Sequence, residues 1–116
     1  MKNLKMYIIV NKELNMSPEK MSAQVGHAVN VLTYKMAQNN KELLDEYMSG
    51  EIKKIVLYAN QNKLEQLERE GFIAIRDKGY TEIEPNSLTC VTIGILDGDN
   101  IPDAYKWIKR LRTRKE

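Results

Sequence analysis

Four β-rich runs, most of them separated by segments long enough to be helices, limit the folds open to this chain. "KMYIIV", "KKIVLYA", "FIAIRD" and "LTCVTIGIL" carry the β-branched and aromatic residues of strands. After the first run and a polar turn, the spacing predicts a helix from Ser17 to about Gln38. Asn39 and Asn40 interrupt it, and "KELLDEYM", with Leu43, Leu44, Tyr47 and Met48 at helical spacing, predicts a second helix that stops at "SG". "NQNKLEQLEREG" has an asparagine cap, Leu64 and Leu67 on one face and Gly71 past its end. "KGYTEIEPNS" reads as a turn-rich loop, and "DGDNIPDAYKWIKRLR" as a loop entering a last helix with Pro102 in its first turn. The order is β-α-α-β-α-β-β-α. Crossovers of helical length favour parallel pairing, while the helix-free loop before the fourth strand turns the chain back. The expectation is one three-layer α/β/α domain over residues 1–116, on a four-stranded, mostly parallel mixed sheet with strand 4 antiparallel.

The first helix obeys the rules for a helix start, with one departure. Ser17 can cap the free amides, Pro18 suits the first position, and Glu19 complements the positive end of the dipole. Lys20 follows them, where a cation is unfavourable by about 0.3–1 kcal/mol. A position that breaks a local rule is a candidate for function. Met21, Val25, Ala28, Leu32 and Met36 form an apolar stripe, and Lys20, Gln24 and His27 form a polar row at its edge that can line a cleft. The alternative is that Lys20 snorkels, Gln24 is solvated and His27 caps a neighbouring backbone group. Sheets of this kind bind ligands outside the carboxyl ends of their parallel strands, and the topology brings Lys20, Asp77 and Thr89 to that rim.

Several functional classes are disfavoured. The chain of 116 residues, 42% hydrophobic, suits one domain with a modest core. No apolar run approaches the roughly 20 residues that span a bilayer, and the start lacks a signal peptide's pattern, so no membrane partner and a cytoplasmic location are expected. With one cysteine, Cys90, and one histidine, His27, there is no internal disulfide or zinc-ligand cluster, and neither metal nor cofactor is expected. Strand alternation sets Cys90 on the face opposite Thr89, as a buried inert thiol. His27 lies about 10 Å along the helix from Lys20, which argues against it as general base. Trp107, with Ile108 and Leu111, reads as core or dimer contact. The net charge of +2 does not by itself argue for nucleic acid, although "KWIKRLRTRK" is locally basic. These cations read as a solvated face, with phosphate contact as the alternative.

"KMSAQVGHA", "KKIVL" and "IRDKGYTEIEPNSLTCVTIGI", in that order, resemble the type II peptidyl-tRNA hydrolases over roughly residues 6–96. The resemblance implies hydrolysis of the ester joining a peptide to the 3′ ribose of tRNA by a metal-free, homodimeric cytoplasmic enzyme. It maps the polar site to Lys20, Gln24, Asp77, Thr81 and Thr89. Where the family has D-A-G-R-T-Q this chain has "DKGYTE", so Tyr80 and Glu82 replace an arginine and a glutamine that favour a polyanion. Lys78 restores positive charge, and Tyr80 can stack on an unpaired base, which makes Lys78, Tyr80 and His27 the candidates for substrate contact. In the implied chemistry Asp77 orients or deprotonates water, Lys20 stabilises negative charge, and Gln24, Thr81 and Thr89 fix the geometry. A neighbouring lysine should lower the aspartate's pKa, favouring orientation over base catalysis. The alternative is a noncatalytic RNA-binding or adaptor protein of the same fold.

Overall fold

A computed structural model describes residues 2–79 and 82–114. Strand β1 (Leu4–Asn11) leads into α1 (Pro18–Asn39) and α2 (Lys41–Met48), followed by β2 (Lys53–Ala59), α3 (Gln61–Arg69), β3 (Ile73–Arg76), β4 (Leu88–Asp97) and a 3₁₀ helix, η1 (Asp103–Arg110). The strands form one sheet in the order β2-β1-β4-β3. β1 and β2 pair in parallel, Tyr7 opposite Ile55 and Ile9 opposite Leu57. β4 runs antiparallel to both β1 and β3, so β1, β2 and β3 share a direction and β4 reverses it. The sheet is therefore mixed, as the helix-length crossovers and the helix-free loop require. Because β4 inserts between β1 and β3, only one of the three hydrogen-bonded pairs is parallel.

β1 is buried on both faces, which explains its unbroken apolar run. Met6, Ile8 and Val10 pack with Ala28, Leu32 and Met36 of α1 and Leu44 and Tyr47 of α2. Tyr7 and Ile9 pack on the other face with Leu64 and Leu67 of α3 and Ile108 of η1. The result is the expected three layers. Ser17 caps α1 by accepting the Lys20 N–H at 3.1 Å, and Asn60 caps α3 by accepting the Lys63 N–H at 2.9 Å. Gly71 ends the α3 turn at φ 97°, in the left-handed region where glycine carries no Cβ penalty. Among the described residues no helix is long and apolar enough to cross a membrane.

Two local expectations change. The last helix is 3₁₀ rather than α, with Pro102 as its N-cap and not inside its first turn. Tyr105, Ile108 and Leu111 all pack on the core. Their spacing of three matches the three residues per turn of that helix. The buried line of α1 is Gln24, Ala28, Leu32 and Met36, whereas Met21 and Val25 are only half-buried. The N-terminal half of α1 thus turns a polar row toward the sheet.

Leu64 is fully buried between α3 and the sheet. Leu64→Ala should lower the unfolding free energy by about 2–5 kcal/mol in denaturant titrations. A loss below about 1 kcal/mol would mean that the α3 layer does not pack as described.

Candidate functional site

At the carboxyl end of β3 the chain turns sharply through Asp77, whose backbone N–H donates to the Ser87 carbonyl at 2.9 Å and whose carbonyl accepts from Asn86 at 2.7 Å. The side chain has two anchors. Lys20 Nζ donates to Oδ1, and the Gly79 N–H donates to Oδ2 at 2.7 Å. Both members of the ion pair are withdrawn from solvent, with side chains 10% and 7% exposed for Lys20 and Asp77. The Lys20 hydrogen bond holds the Asp77 carboxyl below its usual value of 3.8. Burial opposes this, and the Gly79 and Lys78 backbone amides and the lysine charge reinforce it. Gly79 adopts φ 84°, and a Cβ there would come 2.5 Å from Pro85 Cα, so the turn needs glycine at this point.

One turn further along α1, Gln24 is 5% exposed and Thr89 is fully buried. The Thr89 hydroxyl lies 2.8 Å from Gln24 Oε1 and 3.0 Å from the Ile75 carbonyl, with one proton to donate between them. Gln24 Nε2 has no partner among the described residues and is not enclosed, so it is open as a donor. Thr89 owes its direction to a β-bulge: Ile75 faces Cys90 and Arg76 faces Leu88, leaving Thr89 as the extra residue of β4. Cys90 Sγ consequently points the same way and donates to the Gln24 carbonyl at 3.4 Å. This corrects the expectation that Thr89 and Cys90 occupy opposite faces. Burial pushes the Cys90 thiol up to about 12, as suits an inert core residue.

The misplaced cation is answered by two carboxylates. In a capping box, a glutamate at the third helical position accepts the N–H of the cap residue. Lys20 occupies that position, and Glu82 performs the task from the loop: Ser17 N donates to Oε2 at 2.8 Å and Ser17 Oγ to Oε1 at 2.6 Å. The Ser17 hydroxyl and amide hold Glu82 below its usual carboxylate range, and the Lys20 charge adds to the shift. Glu82 is thus a clamp on α1. The loop is also tied at its base by Arg76, which pairs bidentately with Glu68 at 3.0 and 2.8 Å and donates to the Asn86 carbonyl at 2.7 Å. Asn11, fully buried at the end of β1, donates to the Leu88 carbonyl at 3.0 Å beside Thr89.

Lys20, Gln24, Asp77 and Thr89 therefore come together at the rim expected from the topology. Lys20 is ion-paired and Gln24 buried, so the alternative of a snorkelling lysine and a solvated glutamine does not hold. His27 is exposed, and no hydrogen bond or ion pair of its side chain occurs among the described residues, so it is not a backbone cap and the polar row of α1 divides after Gln24. Lys78 is exposed beside Asp77. Tyr80 and Thr81 lie outside the described residues. Glu82 and Asn11 escape sequence reasoning because their partners lie 65 and 77 positions away, and Arg76 because only the packing of α3 and the loop after β3 brings Glu68 and Asn86 to it. The only local hint was the absence of a glutamate at the third position of α1. Among the described residues no group of three His, Cys, Asp or Glu side chains could hold a metal ion.

The sequence as a whole matches proteins of known family. The family model described as Peptidyl-tRNA hydrolase PTH2 matches residues 4–111. A protein named peptidyl-tRNA hydrolase from Thermoplasma volcanium is 34% identical over 101 residues, covering 78% of this chain and 84% of its own. Proteins of the same name from Methanocaldococcus jannaschii, over 98 residues, and Saccharolobus islandicus, over 102, are also 34% identical, covering 78% of this chain and 85% of theirs.

A carboxyl group whose pKa is lowered by folding stabilises the fold fully above its unfolded value and loses that contribution as pH falls through the folded value. The Tm difference between wild type and Asp77→Asn should therefore be largest near neutrality and shrink as pH is taken below 3.8. A difference independent of pH would contradict the ion pair.

Proposed function

The chain belongs to the peptidyl-tRNA hydrolase PTH2 family, and from that premise we propose that it hydrolyses the ester joining a peptide or N-blocked amino acid to the 3′ ribose of tRNA, releasing free tRNA. The observation that carries the reading is the enclosed Lys20–Asp77 pair beside the Gln24–Thr89 hydrogen bond. Ester hydrolysis needs an oriented water, stabilisation of the developing oxyanion and a proton for the departing ribose oxygen. Asp77 accepts a hydrogen bond from the attacking water and sets its angle, and the proton that the water gives up on attack passes to the 3′ oxygen as its bond to the acyl carbon breaks. Its lowered pKa makes it a weak base at neutral pH, so orientation is its larger role.

Lys20 Nζ has three N–H donors, and the ion pair uses one. The remaining donors answer the charge that develops on the carbonyl oxygen. Gln24 Nε2 faces the same charge, held in place through Oε1 by Thr89. Thr81 adds to this geometry, and Lys78, Tyr80 and His27 contact substrate, Tyr80 by stacking on an unpaired base. The enzyme acts in the cytoplasm as a homodimer and without a metal ion.

Single-turnover hydrolysis of peptidyl-tRNA should proceed unchanged in excess chelator. Lys20→Met and Asp77→Asn should each lower the rate by about 10²- to 10³-fold, the usual cost of removing a preorganised group from a transition state. Folded wild type that binds tRNA but releases none from peptidyl-tRNA would overturn the reading.

A further inference from the structure

At the carboxyl ends of β1 and β2 lies an open hollow of about 370 Å³, lined by Lys12, Lys63, Trp107, Arg110, Arg112 and Arg114. No Asp or Glu lines it, although the chain has 16 carboxylates against 18 Lys and Arg. Five cations share one concavity in a protein whose net charge is only +2. Among the described residues, Lys12, Lys63, Arg110 and Arg114 make no ion pair. Four like charges in one concavity with no ion pair among them raise the local potential and favour an incoming anion.

The walls are fixed by backbone. Lys12 N donates to the Ala59 carbonyl at 2.9 Å, and Tyr58 N donates to the Arg112 carbonyl at 3.0 Å, which pins the segment after η1 along the outer edge of β2. The N-terminus of α3 opens into the hollow through Asn60 and Lys63. Its first turn holds no acidic residue of its own, and Lys63 stands there as Lys20 does in α1, while Glu13 from the segment after β1 accepts the Gln61 N–H at 2.7 Å without pairing with Lys63. The Lys63 ammonium sits 4.0 Å over the Trp107 ring, a cation–π contact that positions the charge and occupies one face of the indole.

We propose that this hollow grips the phosphodiester backbone of the tRNA, apart from the catalytic pair. The identity of the RNA rests on the reading of peptidyl-tRNA as substrate. Arginine forks match phosphate oxygens in pairs, and Trp107 is engaged by Lys63, so the hollow is built for charge and not for reading bases. It opens at the same end of the sheet as Lys20 and Asp77, so one extended polyanion can occupy both.

The test is fluorescence anisotropy with uncharged tRNA and full-length protein over a range of salt concentrations. Arg110→Gln/Arg114→Gln should weaken binding about tenfold near 0.1 M salt and reduce the slope of log affinity against log salt by about two, and Lys12→Gln, on another element, should reduce it by about one. Lys35→Gln/Lys41→Gln, with the same loss of net charge on α1 and α2, should change affinity less than about twofold. With peptidyl-tRNA the hollow variants should raise KM and leave kcat unchanged. Equal weakening by both double variants, or unchanged slopes for the double variant and Lys12→Gln, would overturn the proposal. Wild type that binds tRNA in this pattern without hydrolysing peptidyl-tRNA would overturn the proposed function and leave the hollow's role standing.

Discussion

The Lys20–Asp77 ion pair joins the first turn of α1 to the end of β3, and the site is arranged around it. Neither partner is well placed alone: a lysine opposes the helix dipole, and a withdrawn carboxylate loses hydration. Together, with the Gly79 amide on the second oxygen, they satisfy one another. Removing one member leaves the other enclosed and unpaired, so this pair is a structural contact as well as a candidate for chemistry. Glu82 completes the arrangement by supplying the missing half of the capping box, so that the loop after β3 and the start of α1 hold each other.

Much of the fold was legible in the chain because its signals are local. Ser17 and Asn60 announced two helix starts, Gly71 an end, and the alternating runs the strands. The polar site was legible through one misfit, Lys20, and through family motifs. What sequence could not show depends on partners distant in the chain. The bulge at Thr89 leaves no mark on a β-rich run, so simple alternation sent Thr89 and Cys90 to opposite faces. Gln24 looked like an edge residue because its burial is compensated by a threonine 65 positions away. Glu82 looked like a loss of affinity for RNA, and its charge is committed to Ser17.

Among the described residues every buried side-chain nitrogen and oxygen has at least one partner. In a low-dielectric setting such a network is rigid, because any displacement exposes an unpaired group. That rigidity is what an ester hydrolase requires of donors that must already face the oxyanion. The basic hollow differs in kind, since most of its cations are unpaired and exposed. One rim of the sheet thus holds both a compensated ion pair and a basic cluster with few ion pairs of its own.

If Lys20 and Asp77 act as one unit, a double-mutant cycle on single-turnover peptidyl-tRNA hydrolysis will show it. Lys20→Met, Asp77→Asn and the double variant are compared with wild type. Strong non-additivity is expected, with the double variant about as slow as the slower single variant. Rate losses that simply multiply would contradict it, because they would mean that the two side chains contribute independently.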